Sequence, residues 1–329
     1  MKINKTLSIS EKNILIVGNR SYKNLGDELI LLWTIKILLQ EGKKITIAAY
    51  DTKRLKTFFN QFIDTDKITF ITEIPKWFRT RVKYIHQWKL KERKLWKKAD
   101  AIIIGGWEII TEENKHSYRY RLASLLPVFK KPRYLMGWIQ IPKKIYNRFL
   151  FKKLLKRTKH IFARDQETVE EIKKYGFNNI EFFMDTSYFS YDWKKRKKTT
   201  SDKKYIVINL NKNGEKFLPK IIEDVQHRYK KGYKIFYVPV AQGNKYHYQD
   251  RTYAHTIQQW AHIKDQRFSV LDREKDFDQF AKKLAWASIV ISTRLHLFLI
   301  ANFLWAKTKV YPYQKKILKM QETLKHLDI

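Results

Sequence analysis

Short apolar runs alternate along this chain with longer stretches in which apolar residues recur at helical spacing. Runs at 14–17, 45–50, 68–72, 101–104, 133–138, 161–163 and 180–184 read as buried strands. They are continuous rather than alternating, as in a parallel sheet covered on both faces. Residues 29–39, 143–159 and 166–175 read as helices, the first and last stopped at Gly42 and Gly176. Residues 192–204 (DWKKRKKTTSDKK) are charged and polar, and mark a linker between a domain at 1–191 and a second at 205–329. Strands then follow at 205–210, 234–238, 268–271, 288–291 and 308–311, with helices at 216–230, 248–262 and 277–286. A terminal helix at 314–327 is expected to pack back on the first domain. Two blocks of βα alternation predict an α/β fold of two doubly wound, Rossmann-like domains facing across a cleft, with ligands at the carboxyl ends of strands.

The polar motifs fall at those strand ends. Ser292-Thr293-Arg294-Leu295-His296 follows an apolar strand and opens an apolar helix that runs to Ala301. Ser292 and Thr293 suit a helix cap, and the N–H groups and positive end of the helix favour an anion. Arg294 suits an anion clamp. His296 suits proton transfer, because histidine ordinarily titrates near neutrality. The same spacing equally suits an arginine paired with a structural carboxylate and a histidine packed into a first turn. A polar loop at 19–28 joins the first strand to the first helix. Asp27 and Glu28 there either favour the helix dipole or orient a neutral hydroxylated ligand. Gly105 and Gly106 end the strand at 101–104, where glycine lets a ligand approach the backbone. The glycine spacing is not that of a dinucleotide site.

Composition narrows the partners. The 329 residues are 44% hydrophobic, enough for two cores. The absence of cysteine excludes disulfides, thiolate catalysis and cysteine-based zinc sites, and fits a reducing compartment. Residues 1–13 have no apolar signal-peptide core and no run is long enough to span a bilayer. The expectation is a cytoplasmic protein, or one held peripherally at the inner face of a membrane. The net charge of +36 suits anionic small substrates or an anionic membrane surface, although a biased genome composition produces the same excess. No zinc-finger, RNP or Walker signature is present, so no specific nucleic-acid partner is expected. A basic segment at 76–98, carrying Trp77, Trp88 and Trp96, suits lipid headgroups, with a solvated helix face as the plainer reading. No histidine and carboxylate cluster has ligand spacing, so no metal is expected.

Six pieces occur in a characteristic order. They are Asn24-Leu25-Gly26-Asp27-Glu28, Ile103-Ile104-Gly105-Gly106, Arg164-Asp165 before a helix, Asp185 after a strand, Arg294-Leu295-His296 running to Ala301, and the stretch 311–316. The set resembles the polysaccharide pyruvyl transferase family through almost the whole chain. That resemblance implies a two-domain, glycosyltransferase-B-like fold. It also implies transfer of pyruvate from phosphoenolpyruvate to two hydroxyls of a sugar, forming a ketal in a cell-surface polysaccharide or its lipid-linked precursor. Phosphoenolpyruvate is then the donor substrate, with no cofactor. By resemblance Arg294 and His296 match the donor-binding and catalytic pair, and Arg164 is a second anion-binding arginine. Asn24, Gly26, Asp27 and Glu28 match the N-terminal cleft motif, and Asp185 matches a further cleft position. Trp107 replaces a third family glycine and would narrow the cleft or stack on a sugar ring. The stretch 137–142 also departs from the family's glycine-rich pattern.

The implied chemistry needs a proton at the methylene carbon, a group that orients or deprotonates the acceptor hydroxyl, and arginine forks for the donor. His296 fits the first role, Asp27 or Glu28 the second, and Arg294 with Arg164 the third, Ser292 and Thr293 lying beside the donor. Two other functions fit the same pattern: a nucleotide-sugar glycosyltransferase of the same fold, and a non-enzymatic homologue that binds anionic polymer or membrane.

Overall fold

The computed structural model describes residues 6–18, 23–49, 51–72, 97–105, 108–110, 131–183, 185–192, 204–242, 250–264, 266–314, 317–318 and 320–322. Gly106 and Trp107, residues 193–203 of the expected linker, residues 76–96 of the basic segment and most of the expected terminal helix lie outside the described residues. The chain divides into two compact units, Met1–Ser21 with Asp27–Thr186, and Tyr22–Gly26 with Ser187–Ile329.

The first unit runs β1 (Asn13–Val17), α1 (Leu25–Gln40, whose first two residues belong to the second unit), β2 (Lys44–Ala49), α2 (Thr52–Phe59) and β3 (Ile68–Thr72). It continues with β4 (Ala101–Ile104), β5 (Glu108–Ile110), β6 (Arg133–Ile139), α3 (Ile145–Leu155), β7 (Thr158–Ala163), α4 (Gln166–Lys174) and β8 (Ile180–Phe182). Its parallel strands lie in the order β3-β2-β1-β4-β6-β7-β8, and β5 pairs with the end of β6. The winding starts in the middle, runs out to β3 and reverses at β4. Leu15, Ile103, Leu135 and Ile161 have no exposed surface, which is why these strands read as unbroken apolar runs. At the reversal Gly18 follows β1 with φ +87°, and an added Cβ there would lie 3.1 Å from the Gly105 carbonyl oxygen. Glycine is the residue that this backbone and this close approach both require.

Strand and helix ends shift by a few residues in several places, and three departures are informative. α1 begins at Leu25 rather than 29, because Asp27 and Glu28 occupy its first turn and carry no apolar signal. The helix expected over 143–159 stops at Leu155, and Thr158 already starts β7. Lys156 and Arg157 fill the junction, and as good helix formers they give no stop signal there. β5, at three residues, is too short to announce itself.

The second unit runs β9 (Tyr205–Asn209), a 3-10 turn (Lys212–Phe217), α5 (Leu218–Lys230), β10 (Lys234–Tyr237) and α6 (Thr252–Trp260). Then come β11 (Phe268–Val270), α7 (Phe277–Ala285), β12 (Ile289–Ser292), α8 (Leu295–Phe303) and β13 (Thr308–Val310). Pro219 sits in the first turn of α5, where its missing N–H costs nothing, and Asp276 caps α7 by accepting the Gln279 N–H at 2.9 Å. The parallel order β11-β10-β9-β12-β13 reverses between β9 and β12. Ile206, Ile208, Ile235 and Ile291 are buried completely and form its core with Ile221 and Val225 of α5. Among the described residues, no helix is long and apolar enough to cross a membrane.

Glu11 ties the segment before β1 to two other strands. Its carboxylate accepts the Tyr134 hydroxyl at 2.7 Å and pairs with Lys159 at 2.5 Å. Burial alone would raise its pKa, but the Lys159 and Tyr134 hydrogen bonds outweigh it and hold the group at about 2, below the ordinary 4.5. A depressed carboxylate stabilises the fold above its ordinary pKa and loses that contribution as pH falls through the folded value. Thermal melts should therefore show a stability loss between about pH 4.5 and about 2 that is smaller in Glu11→Gln.

Candidate active site at the strand ends of the second unit

β12 ends at Ser292, in register with Asn209 of β9, where the winding of the second sheet reverses. Neighbouring connections leave in opposite directions at such a point, and the crevice they open is where ligands of parallel sheets bind. The buried Ser292 hydroxyl accepts the Arg294 N–H at 2.9 Å and donates to the Arg294 carbonyl at 3.0 Å. Arg294 itself occupies the N-cap position of α8, without a side-chain cap bond. Ser292 and Thr293 thus do not cap the helix as their residue types suggest, because the chain enters it one residue later. Thr293, fully buried, donates instead to Asn211 Oδ1 at 3.0 Å and accepts the Asn211 N–H at 3.1 Å. Asn211 in turn accepts the Gly214 N–H at 3.0 Å, which starts the 3-10 turn.

Arg294 is forked by Asp250. Its Nη2 donates to Oδ1 at 2.5 Å and its Nε to Oδ2 at 3.1 Å, leaving Nη1 outside the fork. The Arg294 side chain keeps 14% of its surface exposed and Asp250 keeps 1%. Burial works against the guanidinium charge, yet the adjacent Asp250 carboxylate raises its pKa above the ordinary arginine value. Asp250 Oδ2 also accepts from Asn209 Nδ2 at 3.2 Å and from the N–H groups of Val240 and Ala241 at 3.2 and 3.1 Å. The Tyr237 hydroxyl donates to the Asp250 carbonyl at 2.6 Å, and burial is the first cause of its raised pKa.

His296 is the second residue of α8 and 5% exposed. A Cβ added to Gly26 would fall 1.7 Å from its Nδ1, so the imidazole occupies the space that glycine leaves open. Gly26 is held there by its neighbours. Asn24 Oδ1 accepts the Gly26 N–H at 3.2 Å, and the Asn24 backbone bridges Ala241. The Leu25 N–H donates to the Val240 carbonyl at 3.0 Å. Lys23 takes a left-handed backbone, φ +53°, and its carbonyl accepts from the Gln242 N–H at 3.3 Å and Arg273 Nη2 at 2.6 Å.

The structure thus brings Gly26 onto His296 and sets Asn24 on the loop beside Asp250. The remaining candidates belong to the first unit. Arg164 and Asp185 follow adjacent strands, β7 and β8, are both buried, and pair at 3.6 Å. Glu28 has no exposed surface and takes both arms of the Arg54 guanidinium, Nη2 to Oε2 at 3.1 Å. Asp27 is partly exposed, and the Gly105 N–H donates to the Val17 carbonyl at 3.0 Å. Asp250, Asn209 and Asn211 were missed by sequence reasoning. No spacing in the sequence connects Asp250 with Arg294.

The fold and this site define a class: a two-unit, parallel-sheet α/β protein of glycosyltransferase-B-like architecture with an arginine and a histidine at a helix start. The polysaccharide pyruvyl transferase family model matches residues 24–301, and the chain belongs to that family. Comparison with curated proteins finds no match. Among solved structures, a putative UDP-N-acetylglucosamine 2-epimerase from Listeria monocytogenes is similar at 12% identity and TM-score 0.58, covering 94% of this chain and 82% of that one. UDP-GlcNAc 2-epimerase from Neisseria meningitidis, solved with UDP-GlcNAc, is similar at 11% identity and TM-score 0.55, covering 93% and 84%. A glycosyltransferase from Rickettsia africae follows at 13% and 0.51, covering 92% and 79%. These likenesses establish the fold.

Two outcomes follow from the geometry. Gly26→Ala should cost about 1–3 kcal/mol through overpacking and shift the His296 ring resonances in NMR spectra. Asp250→Ala and Arg294→Ala should each cost about 3–5 kcal/mol, with the double variant costing less than the sum in denaturation experiments.

Proposed function

We propose that the protein transfers the pyruvyl group of phosphoenolpyruvate to two hydroxyls of a sugar in a polysaccharide or its lipid-linked precursor, forming a cyclic ketal and releasing phosphate. The observation that carries the proposal is the Arg294 and His296 pair at the start of α8, in a chain of the polysaccharide pyruvyl transferase family. Phosphoenolpyruvate bears a phosphate and a carboxylate. Arg294, fixed by Asp250 through Nε and Nη2, keeps Nη1 for one of these anions. The first-turn N–H groups of α8 favour the same charge.

In this reading His296 delivers a proton to the methylene carbon, which becomes the methyl group. Positive charge develops at the adjacent carbon, and one acceptor hydroxyl attacks it and gives up its proton. The carbon–oxygen bond to phosphate then breaks, the second hydroxyl closes the ketal, and its proton leaves with the phosphate. One hydroxyl proton replaces the one spent on the methyl group, so His296 ends as it began. In the first unit Arg164 and Asp27 keep the roles the family resemblance suggests, a second anion-binding arginine and a group for the acceptor hydroxyl. Glu28, engaged on both oxygens by Arg54, is assigned to holding the first turn of α1 rather than to proton transfer.

Phosphate release from phosphoenolpyruvate across a panel of glycosides tests this. His296→Ala should lower turnover by about 100- to 10,000-fold while leaving donor affinity nearly unchanged. Arg294→Lys should weaken donor binding by about 10- to 100-fold, since lysine cannot keep the fork to Asp250. Phosphoenolpyruvate, and not UDP-sugars, should raise the melting temperature. Retained turnover in His296→Ala would sink the assignment.

A further inference from the structure

We infer that α3 is a membrane-docking element that seats the first unit on an anionic lipid surface. The helix has two unlike faces. Phe151, Leu154 and Leu155 are buried in the first core. On the opposite side Ile145 is 85% exposed, Tyr146 54% and Phe149 53%, grouped at i, i+1 and i+4 and so clustered over the first turns. Isolated apolar residues on a surface need no explanation, whereas an aliphatic and two aromatics on one turn mark a contact surface.

The surrounding charge identifies the occupant. Every charged residue between 143 and 159 is lysine or arginine, and no Asp or Glu occurs anywhere from residue 114 to residue 164. Lys152, Lys153 and Lys156 are exposed on the same side of the helix as Ile145 and Phe149. Lys153 Nζ lies 4.4 Å from the Phe149 ring centroid, so cation and aromatic share one patch. A protein partner of this size would need a complementary apolar surface ringed by acids, and nucleic acid would leave Ile145 and Phe149 without a role. A bilayer interface supplies both parts at once, acyl chains for the apolar turn and anionic headgroups for the lysines. Tyrosine at the edge suits the same boundary, its ring apolar and its hydroxyl wet.

Flotation of the full-length protein with vesicles of phosphatidylcholine and about 30% phosphatidylglycerol tests the inference, against phosphatidylcholine alone. Each cation close to an anionic surface contributes about five-fold to binding. Lys152→Glu with Lys153→Glu and Lys156→Glu should therefore lower vesicle affinity more than about ten-fold. Ile145→Ser with Phe149→Ser, which leaves the charge intact, should lower it about ten-fold. A charge-matched control on exposed positions of the second unit, Lys220→Glu with Lys230→Glu and Lys231→Glu, should change it little. All of these sites are exposed, and an unchanged melting temperature confirms folding. Because the chain has no cysteine, Tyr146→Cys takes a single environment-sensitive fluorophore, whose emission should shift to the blue on vesicles. An equal loss in the control, or no spectral shift at position 146, would reduce the binding to diffuse charge and overturn the inference. Binding to a duplex oligonucleotide that falls with the α3 substitutions, without any to vesicles, would overturn it as well.

Discussion

The second unit depends on how one buried carboxylate is satisfied. Asp250 comes from a loop, keeps 1% of its surface, and would be costly to ionise there without partners. It has them from three directions: the Arg294 fork, the amide of Asn209 at the end of β9, and the N–H groups of Val240 and Ala241 after β10. Those are the connections that leave the sheet around its reversal point. Removing Asp250 would release the strand ends from one another and set Arg294 free of the position in which its Nη1 stands outside the fork. The loop that Asp250 holds from one side also bonds the 23–25 segment through Ala241, Val240 and Gln242, which in turn sets Gly26 against His296.

The same device recurs in the first unit, where Glu28 holds Arg54 and Asp185 pairs with Arg164. Lysine and arginine number 68 against 32 acids, so one-to-one pairing would leave more than half of the cations over. Buried carboxylates in such a chain select which arginines are fixed. The pairs at Arg164 and Arg294 both stand just beyond the carboxyl end of a parallel strand, where an unheld arginine would swing toward solvent. A bidentate or close pairing removes that freedom while retaining the charge.

Much of the fold was legible because both sheets are parallel and covered on both faces. Runs such as those at 14–17 and 101–104 are short and rich in isoleucine and valine, which favours buried strands, and helix stops at Gly42 and Gly176 punctuate them. Boundaries failed where the residues carry no stop or start signal: Lys156 and Arg157 at the α3–β7 junction, acids in the first turn of α1, and the three residues of β5. At the site, the sequence located Arg294 and His296 but left clamp and scaffold equally weighted. The structure contains the carboxylate partner that the scaffold alternative required, and it also leaves one guanidinium nitrogen outside that pairing. Asp250 escaped notice because a residue's value as a hub comes from donors contributed by β9, β10 and α8, which no local spacing records. Gly26 was found as part of a motif, but its steric reason is visible only with His296 in place.

α8 explains why the pair at its start is rigid. Leu295 to Ala301 and Phe303 are all buried, so the helix is apolar around its whole circumference rather than along one stripe. Its one partly exposed polar residue, Asn302, folds back to donate to the Phe298 carbonyl at 2.8 Å. A helix enclosed on all sides cannot roll or slide without opening the core, because packed interiors deform little. Arg294 and His296 sit on the first turn of that helix and inherit its position, while Asp250 and Gly26 fix their side chains from outside it. Chemistry that depends on holding an anion and a proton donor in a set relation gains from this arrangement, in which the backbone of both groups starts from a packed helix.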